Sequence, residues 1–171
     1  MDGDGLLLRE WREADLGHMP SLFDDPDVAR WTPIESPFDA DAAARYLAKA
    51  RDQRSADTAL HLVVTTDGET PLGEVLLFVP PGGEEGSPPE LGYSVSPAAR
   101  GRGLAARATV LLVEFAVAEL GLRTFRLQIT PGNAASEAIA LRLGAVRRAD
   151  SLTTVDGARG PVELESWDLQ R

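Results

Sequence analysis

The sequence of 171 residues lacks cysteine altogether and contains two histidines, His18 and His61. Without cysteine there is no disulfide, thiolate metal site or cysteine nucleophile, and two histidines are too few for a typical zinc site. No apolar run approaches the length of a membrane span, and the first residues lack the basic and apolar regions of a signal peptide. We therefore expect a cytoplasmic protein that uses neither a metal nor a membrane.

Positive charge is scarce as well, because 17 basic residues stand against 27 acidic ones and the formal net charge is -10. This balance argues against nucleic acid as a partner. The charge is uneven: residues 1–41 hold 11 carboxylates and three arginines, whereas residues 91–113 hold three arginines and no carboxylate. The pattern indicates an anionic ligand near those arginines and a cationic ligand elsewhere, unless the acidic half is only a solvated surface.

Hydrophobic periodicity and turn residues predict one mixed α/β domain over residues 1–171. The predicted strands are 6–11, 60–66, 71–79, 90–95, 125–130, 147–153 and 162–169. The predicted helices are 14–25, 40–54, 104–120 and 133–144. Residues 28–38 and 80–89 are predicted loops, and Asp156-Gly157 is a predicted turn between the last two strands.

A loop rich in glycine and arginine lies between the predicted strand 90–95 and the long helix that begins at Leu104. The first turn of a helix offers unpaired backbone N–H groups and a partial positive charge, and glycine lets a phosphate approach the backbone closely. Arg100 and Arg102 add charge-assisted hydrogen bonds. The arrangement favours a pyrophosphate site over the alternative that Gly101 and Gly103 only form a tight turn.

Residues 101–106 also match the dinucleotide-binding pattern Gly-x-Gly-x-x-Ala, which makes an NAD-binding oxidoreductase a remote alternative. The context of the match is unfavourable. Several residues separate the strand from the first glycine, and the next strand, 125–130, carries no acidic residue to hold a ribose. The loop also follows a run of strands that would not pair as a parallel nucleotide-binding sheet.

Three motifs in fixed order resemble those of the GNAT acetyltransferases. Arg100-Gly101-Arg102-Gly103-Leu104-Ala105 is similar to the acetyl-coenzyme A motif Arg/Gln-x-x-Gly-x-Gly/Ala and follows a strand of the expected type, Glu90 to Val95. Asn133-Ala134-Ala135-Ser136 and Leu143-Gly144-Ala145 resemble the Asn-x-x-Ser helix and the closing Leu-Gly-Phe. The segments 6–11, 25–28 and 71–74 resemble the branch that includes the ribosomal-protein N-terminal acetyltransferases.

The resemblance implies a mixed sheet of about seven strands, splayed in the middle, with acetyl-coenzyme A in the opening. The residues implied at the pyrophosphate are Arg100, Gly101, Arg102, Gly103, Leu104 and Ala105. The backbone of Tyr93, Ser94 and Val95 would pair with the pantetheine arm, and Asn133 would lie near its sulfur end. Trp31 would border the site of the amine acceptor, and a homodimer is compatible with this branch.

Acetyl transfer requires a base for the amine, and Glu90 at the head of the thioester-carrying strand is our candidate, against the alternative of a solvated glutamate. Many GNAT enzymes protonate the departing thiolate with a tyrosine at the position that is Ala140 here. In the ribosomal-protein branch the serine has been assigned that role, so Ser136 inherits it, although Asn133 and Ser136 also suit a helix cap and first turn. A domain that binds acetyl-coenzyme A without catalysis is the competing hypothesis.

Overall fold

The computed structural model describes residues 1–80, 87–157 and 160–171. Its strands are β1 (Asp2–Gly3), β2 (Leu6–Glu10), β3 (Ala59–Thr65), β4 (Gly73–Phe78), β5 (Glu90–Val95), β6 (Thr124–Ile129), β7 (Val146–Arg147), β8 (Thr153–Gly157) and β9 (Gly160–Gln170). Its helices are α1 (Met19–Phe23), α2 (Pro26–Trp31), α3 (Ala40–Ser55), α4 (Leu104–Leu120) and α5 (Ala134–Leu143). Short 3-10 turns cover Glu13–Asp15 and Pro97–Ala99.

The strands form a mixed sheet in the order β1-β2-β3-β4-β5-β6-β9-β7, with β8 paired to β9. All neighbouring strands are antiparallel except β5 and β6, which are parallel. This confirms the predicted fold class. The described residues form nine strands rather than about seven, because β1 and β7 are two-residue strands too short to leave a periodic pattern in the sequence.

The sheet opens between its two parallel strands. β5 pairs with β6 only through Glu90 with Arg126 and Leu91 with Leu127, while its other edge pairs with β4 along its whole length. Pairing therefore stops after Leu91, and the remainder of β5 has no strand partner on the β6 side. The predicted central splay of the sheet is confirmed.

Helices pack on both faces of the sheet, and the buried side chains form two apolar clusters. One cluster joins inward residues of β3, β4 and β6 to α4 and α5, with Val75, Leu112 and Leu127 at its centre. The other joins α1, α2 and α3 to the opposite face through Phe23, Phe38 and other buried side chains. The two groups of helices thus lie on opposite faces of the sheet.

The long helix α4 has the predicted bounds because its sequence determines both ends. Leu104, Ala108 and Leu112 recur at intervals of four and are buried against the sheet. Gly103 and Gly121 stand at the two caps with a φ of 68° each, in the left-handed region that glycine adopts readily. Helix α3 is also confirmed, and Asp39 caps it by accepting a hydrogen bond from the Ala42 amide.

Two predictions near the N-terminus are wrong in extent. The predicted helix 14–25 is a 3-10 turn followed by α1, and the predicted loop 28–38 begins inside α2. Asp25 starts α2 by accepting hydrogen bonds from the amides of Asp27 and Val28, and Pro26 occupies the first helical position, where no amide hydrogen is needed. A cap residue followed by proline was the missed signal.

The C-terminal strands also differ from the prediction. In place of one strand over 147–153 there are β7 and β8, separated by residues 148–152. Asp156 and Gly157 belong to β8 and pair with Pro161 and Gly160, so they do not form the turn themselves. Residues 81–86 of the predicted loop 80–89 lie outside the described residues, as do residues 158 and 159. Within the described ranges, no helix is long and apolar enough to cross a membrane.

Candidate functional site

The glycine loop ends at the N-terminus of α4, which has no side-chain cap and lies beside the opening of the sheet. Gly101 and Gly103 both have positive φ, at 77° and 68°, and both are exposed. Gly103 caps α4 without a side chain to bond the first amides, and the first turn carries no acidic residue. The N–H groups of this turn therefore combine with the helix dipole to favour an anion, as the sequence predicted.

The three arginines near this loop have different surroundings. Arg100 extends to the N-terminus of α2, where it lies 2.5 Å from Asp25 Oδ1 and 2.9 Å from Asp27 Oδ2. Arg107 pairs with the Asp4 carboxylate at 2.7 Å. Arg102 is exposed and forms no ion pair with the residues that the structure describes. Of the three arginines, Arg102 is therefore the one whose guanidinium has no described carboxylate beside it, while Arg100 contributes its backbone to the loop.

Most carboxylates of the acidic N-terminal half are paired with arginines. Seven of the eleven in residues 1–41 form ion pairs: Asp4, Glu10, Glu13, Asp15, Asp25, Asp27 and Glu35. Two more, Asp24 and Asp39, accept hydrogen bonds from backbone amides. The field available to attract a cationic acceptor is accordingly much weaker than the sequence count suggested.

The unpaired edge of β5 presents backbone groups to the opening. The Ser96 amide donates to the Leu72 carbonyl, so alternation along the ladder turns the amides of Ser94 and Gly92 toward β4 as well. The backbone polar groups of Tyr93 and Val95 then point the other way, toward β6, where pairing has stopped. An extended ligand that carries amide groups could pair with this edge as an additional strand does.

Tyr93 also connects β5 to α5 through its side chain. Its hydroxyl donates to the carbonyl oxygen of Ser136 at 3.3 Å, and Asn133 Oδ1 accepts from the Ser136 amide at 3.2 Å. Burial raises the pKa of the Tyr93 phenol above its ordinary value of 10.0, against a smaller lowering by the bond to Ser136. The structure thus brings together Tyr93, Asn133 and Ser136, and it gives Asn133 the capping role that the sequence had left open.

Thr130 is a residue at this opening that the sequence analysis missed. It follows the end of β6, and the register of Glu90 with Arg126 places it level with Ser94 across the gap. Its Oγ1 is buried and has no hydrogen-bond partner among the described residues. Such a hydroxyl needs a partner, which a ligand in the opening would supply. In the sequence Thr130 is only the last residue of the predicted strand 125–130, so no local signal marked it.

Glu90 and Trp31 are not part of the group formed by Tyr93, Asn133 and Ser136. Glu90 is half-buried at the closed end, level with Arg126, on the strand face opposite to Leu91 and Tyr93. It is therefore not brought together with Ser136. Trp31 is half-buried at the end of α2, and the Arg30 guanidinium stacks on its ring at 4.3 Å from the centroid. Neither position is a core position, and both leave the side chain partly accessible.

A second feature missed by the sequence analysis is a buried carboxylate on β4. Glu74 is 1% exposed and accepts from Trp11 Nε1 and from the Tyr46 hydroxyl, both at 2.6 Å. Its Oε1 also lies 3.4 Å from His61 Nδ1. Burial and the adjacent Glu74 charge raise the pKa of Tyr46 well above its ordinary value. A glutamate inside an apolar strand was the signal, and its contacts assign it to joining β2, β4 and α3.

The geometry does not suit the other chemistries considered. The strand before the glycine loop is antiparallel to β4 and parallel to β6 over only two residue pairs, unlike the parallel sheet that a dinucleotide fingerprint requires. In the part of the chain that the structure describes, no three His, Asp or Glu side chains are grouped so that they could hold a metal ion. The open edge of β5 and the N-terminus of α4 are the features of the described residues that offer unpaired backbone groups.

Comparison with known proteins identifies a family and a fold. Residues 5–146 match the family model described as the acetyltransferase (GNAT) domain. No curated protein matches the sequence.

Several solved structures superpose over nearly the whole chain. A spermidine N-acetyltransferase from Vibrio cholerae, solved in complex with CoA and spermine, has a TM-score of 0.78 at 15% identity and covers 98% of this chain and 96% of its own. A ribosomal-protein-S5-alanine acetyltransferase from Vibrio fischeri has a TM-score of 0.76 at 19% identity, covering 97% and 94%. A GNAT acetyltransferase from Bacillus anthracis has a TM-score of 0.79 at 16% identity, covering 96% and 94%. At these identities the likeness shows a shared fold.

Proposed function

Because the chain belongs to the GNAT acetyltransferase family, we propose that it transfers the acetyl group of acetyl-coenzyme A to a primary amine by direct attack in a ternary complex. The observation that carries the proposal is the opening between β5 and β6, which lies directly beside the uncapped N-terminus of α4. The open edge of β5 suits an extended pantetheine arm, and the N-terminus of α4 suits a pyrophosphate. Residues 96–103 join the two.

The donor substrate would be held mostly by backbone groups. The loop from Arg100 to Ala105 offers its N–H groups to the pyrophosphate, and Arg102 adds a free guanidinium. The β5 edge at Tyr93 and Val95 offers amides and carbonyls to the pantetheine, with an N–H left for the thioester oxygen. The unpartnered Thr130 hydroxyl fits a ligand that carries hydrogen-bonding groups along the same opening.

The chemical step needs only a positioned amine and a place for its proton, because a thioester is already activated. The chain has no cysteine, so the acetyl group would pass directly from sulfur to nitrogen. Glu90 is the proposed base, acting directly or through one water molecule from the closed end of the opening. Ser136 remains the residue that the family resemblance assigns to the leaving thiolate.

For the acceptor we propose a protein or peptide amino terminus, or a small amine, bordered by Trp31. The paired carboxylates of residues 1–41 argue that attraction of a polycation is not the main source of affinity. The acetyltransferases of similar fold named above act on a ribosomal protein in one case and on spermidine in another. Both acceptor types therefore belong in the test, and a homodimer in the cytoplasm stays part of the proposal.

The experiment measures thiol release from acetyl-coenzyme A with peptides of different first residues, small amines, polyamines and aminoglycosides. We expect turnover with one class and a loss of about 100-fold in kcat in Glu90→Gln. Glu114→Gln is the matched control, because Glu114 is an exposed carboxylate on α4, and we expect it to keep full activity. Binding of acetyl-coenzyme A without turnover on any acceptor would favour a binding domain, and absence of binding would contradict the proposal.

A further inference from the structure

We propose that the hydroxyl of Tyr93, rather than that of Ser136, protonates the departing coenzyme A thiolate. The inference rests on the proposed function and assigns a further catalytic residue to the same site. It starts from one contact, in which Tyr93 reaches across from β5 to the first turn of α5 and donates to the Ser136 carbonyl oxygen at 3.3 Å.

Tyr93 takes part in the opening in two ways. Its backbone amide and carbonyl face the β6 side, where a thioester-bearing arm would lie, and its side chain projects toward α5 on one face of the same gap. If the pantetheine arm pairs with this edge, the same backbone pairing that positions the donor would place the phenol near its sulfur. No other described tyrosine approaches the opening, because Tyr46 donates to buried Glu74 on the opposite face.

The space above the first turn of α5 is available to Tyr93 because residue 140 is small. Side chains on a helix tilt toward its N-terminus, so the side chain at position 140 covers the turn that contains Ser136. Ala140 is fully buried and belongs to the same apolar cluster as Tyr93. The tyrosine on β5 therefore supplies the bulk and the hydroxyl over this turn.

The chemistry favours a phenol over the neighbouring serine. A serine hydroxyl is a far weaker acid than a phenol, so a phenol is closer to a thiol in proton affinity than serine is. The Tyr93 phenol is protonated at neutral pH, and burial raises its pKa further.

The proposed step conserves protons and electrons. A neutral amine nitrogen forms a bond to the thioester carbonyl carbon, and the proton it then loses passes to Glu90. The carbon–sulfur bond breaks with its electron pair on sulfur, and the Tyr93 hydroxyl proton moves to that sulfur to give the free thiol. Tyrosinate then takes a proton from solvent while Glu90 releases one, so the products are the amide and the thiol.

The test compares three variants in thiol release at saturating acceptor. Tyr93→Phe should lower kcat by about 100-fold while the KM for acetyl-coenzyme A changes by no more than about twofold. Tyr46→Phe is the matched control, since it removes the same hydroxyl from the chain's other tyrosine and should keep kcat at the cost of stability. Ser136→Ala should lose less kcat than Tyr93→Phe, because Tyr93 contacts the Ser136 backbone.

A titration separates an acid from a residue that only supports the fold. In the Tyr46→Phe background, biosynthetic difluorotyrosine enters the chain only at position 93 and lowers the phenol pKa. We expect the alkaline limb of the kcat profile to move to lower pH in the labelled protein. An alkaline limb that stays at the same pH, or full kcat in Tyr93→Phe, would overturn the role of Tyr93. Turnover by the wild type would still support the proposed acetyltransferase activity in that case. No turnover in the wild type would overturn both.

Discussion

The buried carboxylate of Glu74 finds its hydrogen-bond partners far away in the sequence. Glu74 accepts hydrogen bonds from Trp11, 63 residues before it, and from Tyr46, 28 residues before it. None of these three residues stands out in the sequence, and the sequence around Trp11 predicts only an aromatic residue of the core. A network of this kind could not be predicted locally, because its geometry exists only once β2, β4 and α3 have packed together.

The ion pair of Arg9 with Asp15 joins residues close in sequence and gives the stability of the protein a measurable pH dependence. Arg9 Nη1 and Nη2 lie 2.7 and 2.8 Å from the two Asp15 oxygens, and the Arg12 amide donates to the same carboxylate. Burial alone would raise the pKa of Asp15, but these hydrogen bonds and the Arg9 charge outweigh it. The pKa of Asp15 therefore lies below its ordinary value of 3.8.

We predict that Asp15→Asn lowers the free energy of unfolding at neutral pH by about 3 kcal/mol, because Arg9 keeps a partly buried charge without its partner. The direction in which the free energy of unfolding changes with pH follows from the lowered pKa of Asp15. The stabilisation by Asp15 is complete above pH 3.8 and is lost as the pH falls from there through the lower folded-state value. Urea titrations of the wild type and the variant across this interval measure the difference.

Asp52→Asn is the control for that titration, because Asp52 is exposed on α3 and forms no ion pair with the described residues. It should reproduce the wild-type curve, whereas the Asp15→Asn curve should be flatter on the acid side. If the stability curve of Asp15→Asn ran parallel to that of the wild type at every pH, the role given to Asp15 would be contradicted.

Among the elements, α4 was predictable and the segment before α3 was not. The bounds of α4 follow from local signals: a glycine at each end and apolar residues spaced four apart. Helix α2 has only six residues, too few to show a period, and its Asp25-Pro26 start resembles a turn. Its position is stabilised from a distance, because Arg100 of the glycine loop pairs with Asp25 and Asp27.

The two glycine caps of α4 allow a controlled test of the loop. We predict that Gly103→Ala weakens coenzyme A binding at least about tenfold, since a Cβ at positive φ strains the turn whose amides face the ligand. Gly121→Ala introduces the same strain at the other end of the helix, where φ is also 68°, and neither Cβ meets another atom within 4 Å. Isothermal titration calorimetry measures both.

The two variants should lose similar stability, about 1 kcal/mol each, because both force a non-glycine residue into the left-handed region. Only the variant at the N-terminal cap should lose affinity. Equal losses of affinity at both ends would mean that the effect passes through helix stability, and the anion site at the loop would then be rejected.

At the scale of the whole molecule, the sequence predicted the fold class better than it predicted the electrostatics of the protein. The order of motifs from Glu90 to Ala145 indicated a splayed sheet, and β5 opens from β6 as expected. The net charge of -10 suggested a strongly acidic field, yet seven N-terminal carboxylates lie beside arginines. Composition gives the total charge, and only the fold determines which charges are paired.

The central claim is that this chain moves an acetyl group from coenzyme A to an amine, and its most direct test is stoichiometric. The measurement follows thiol release and the mass of the acceptor in one reaction mixture, using the acceptor class that the panel identifies. The account predicts one acetyl group on the acceptor nitrogen for each thiol released, with both signals absent when the protein is omitted. Thiol release without acetylated acceptor, or bound acetyl-coenzyme A with neither signal, would contradict it.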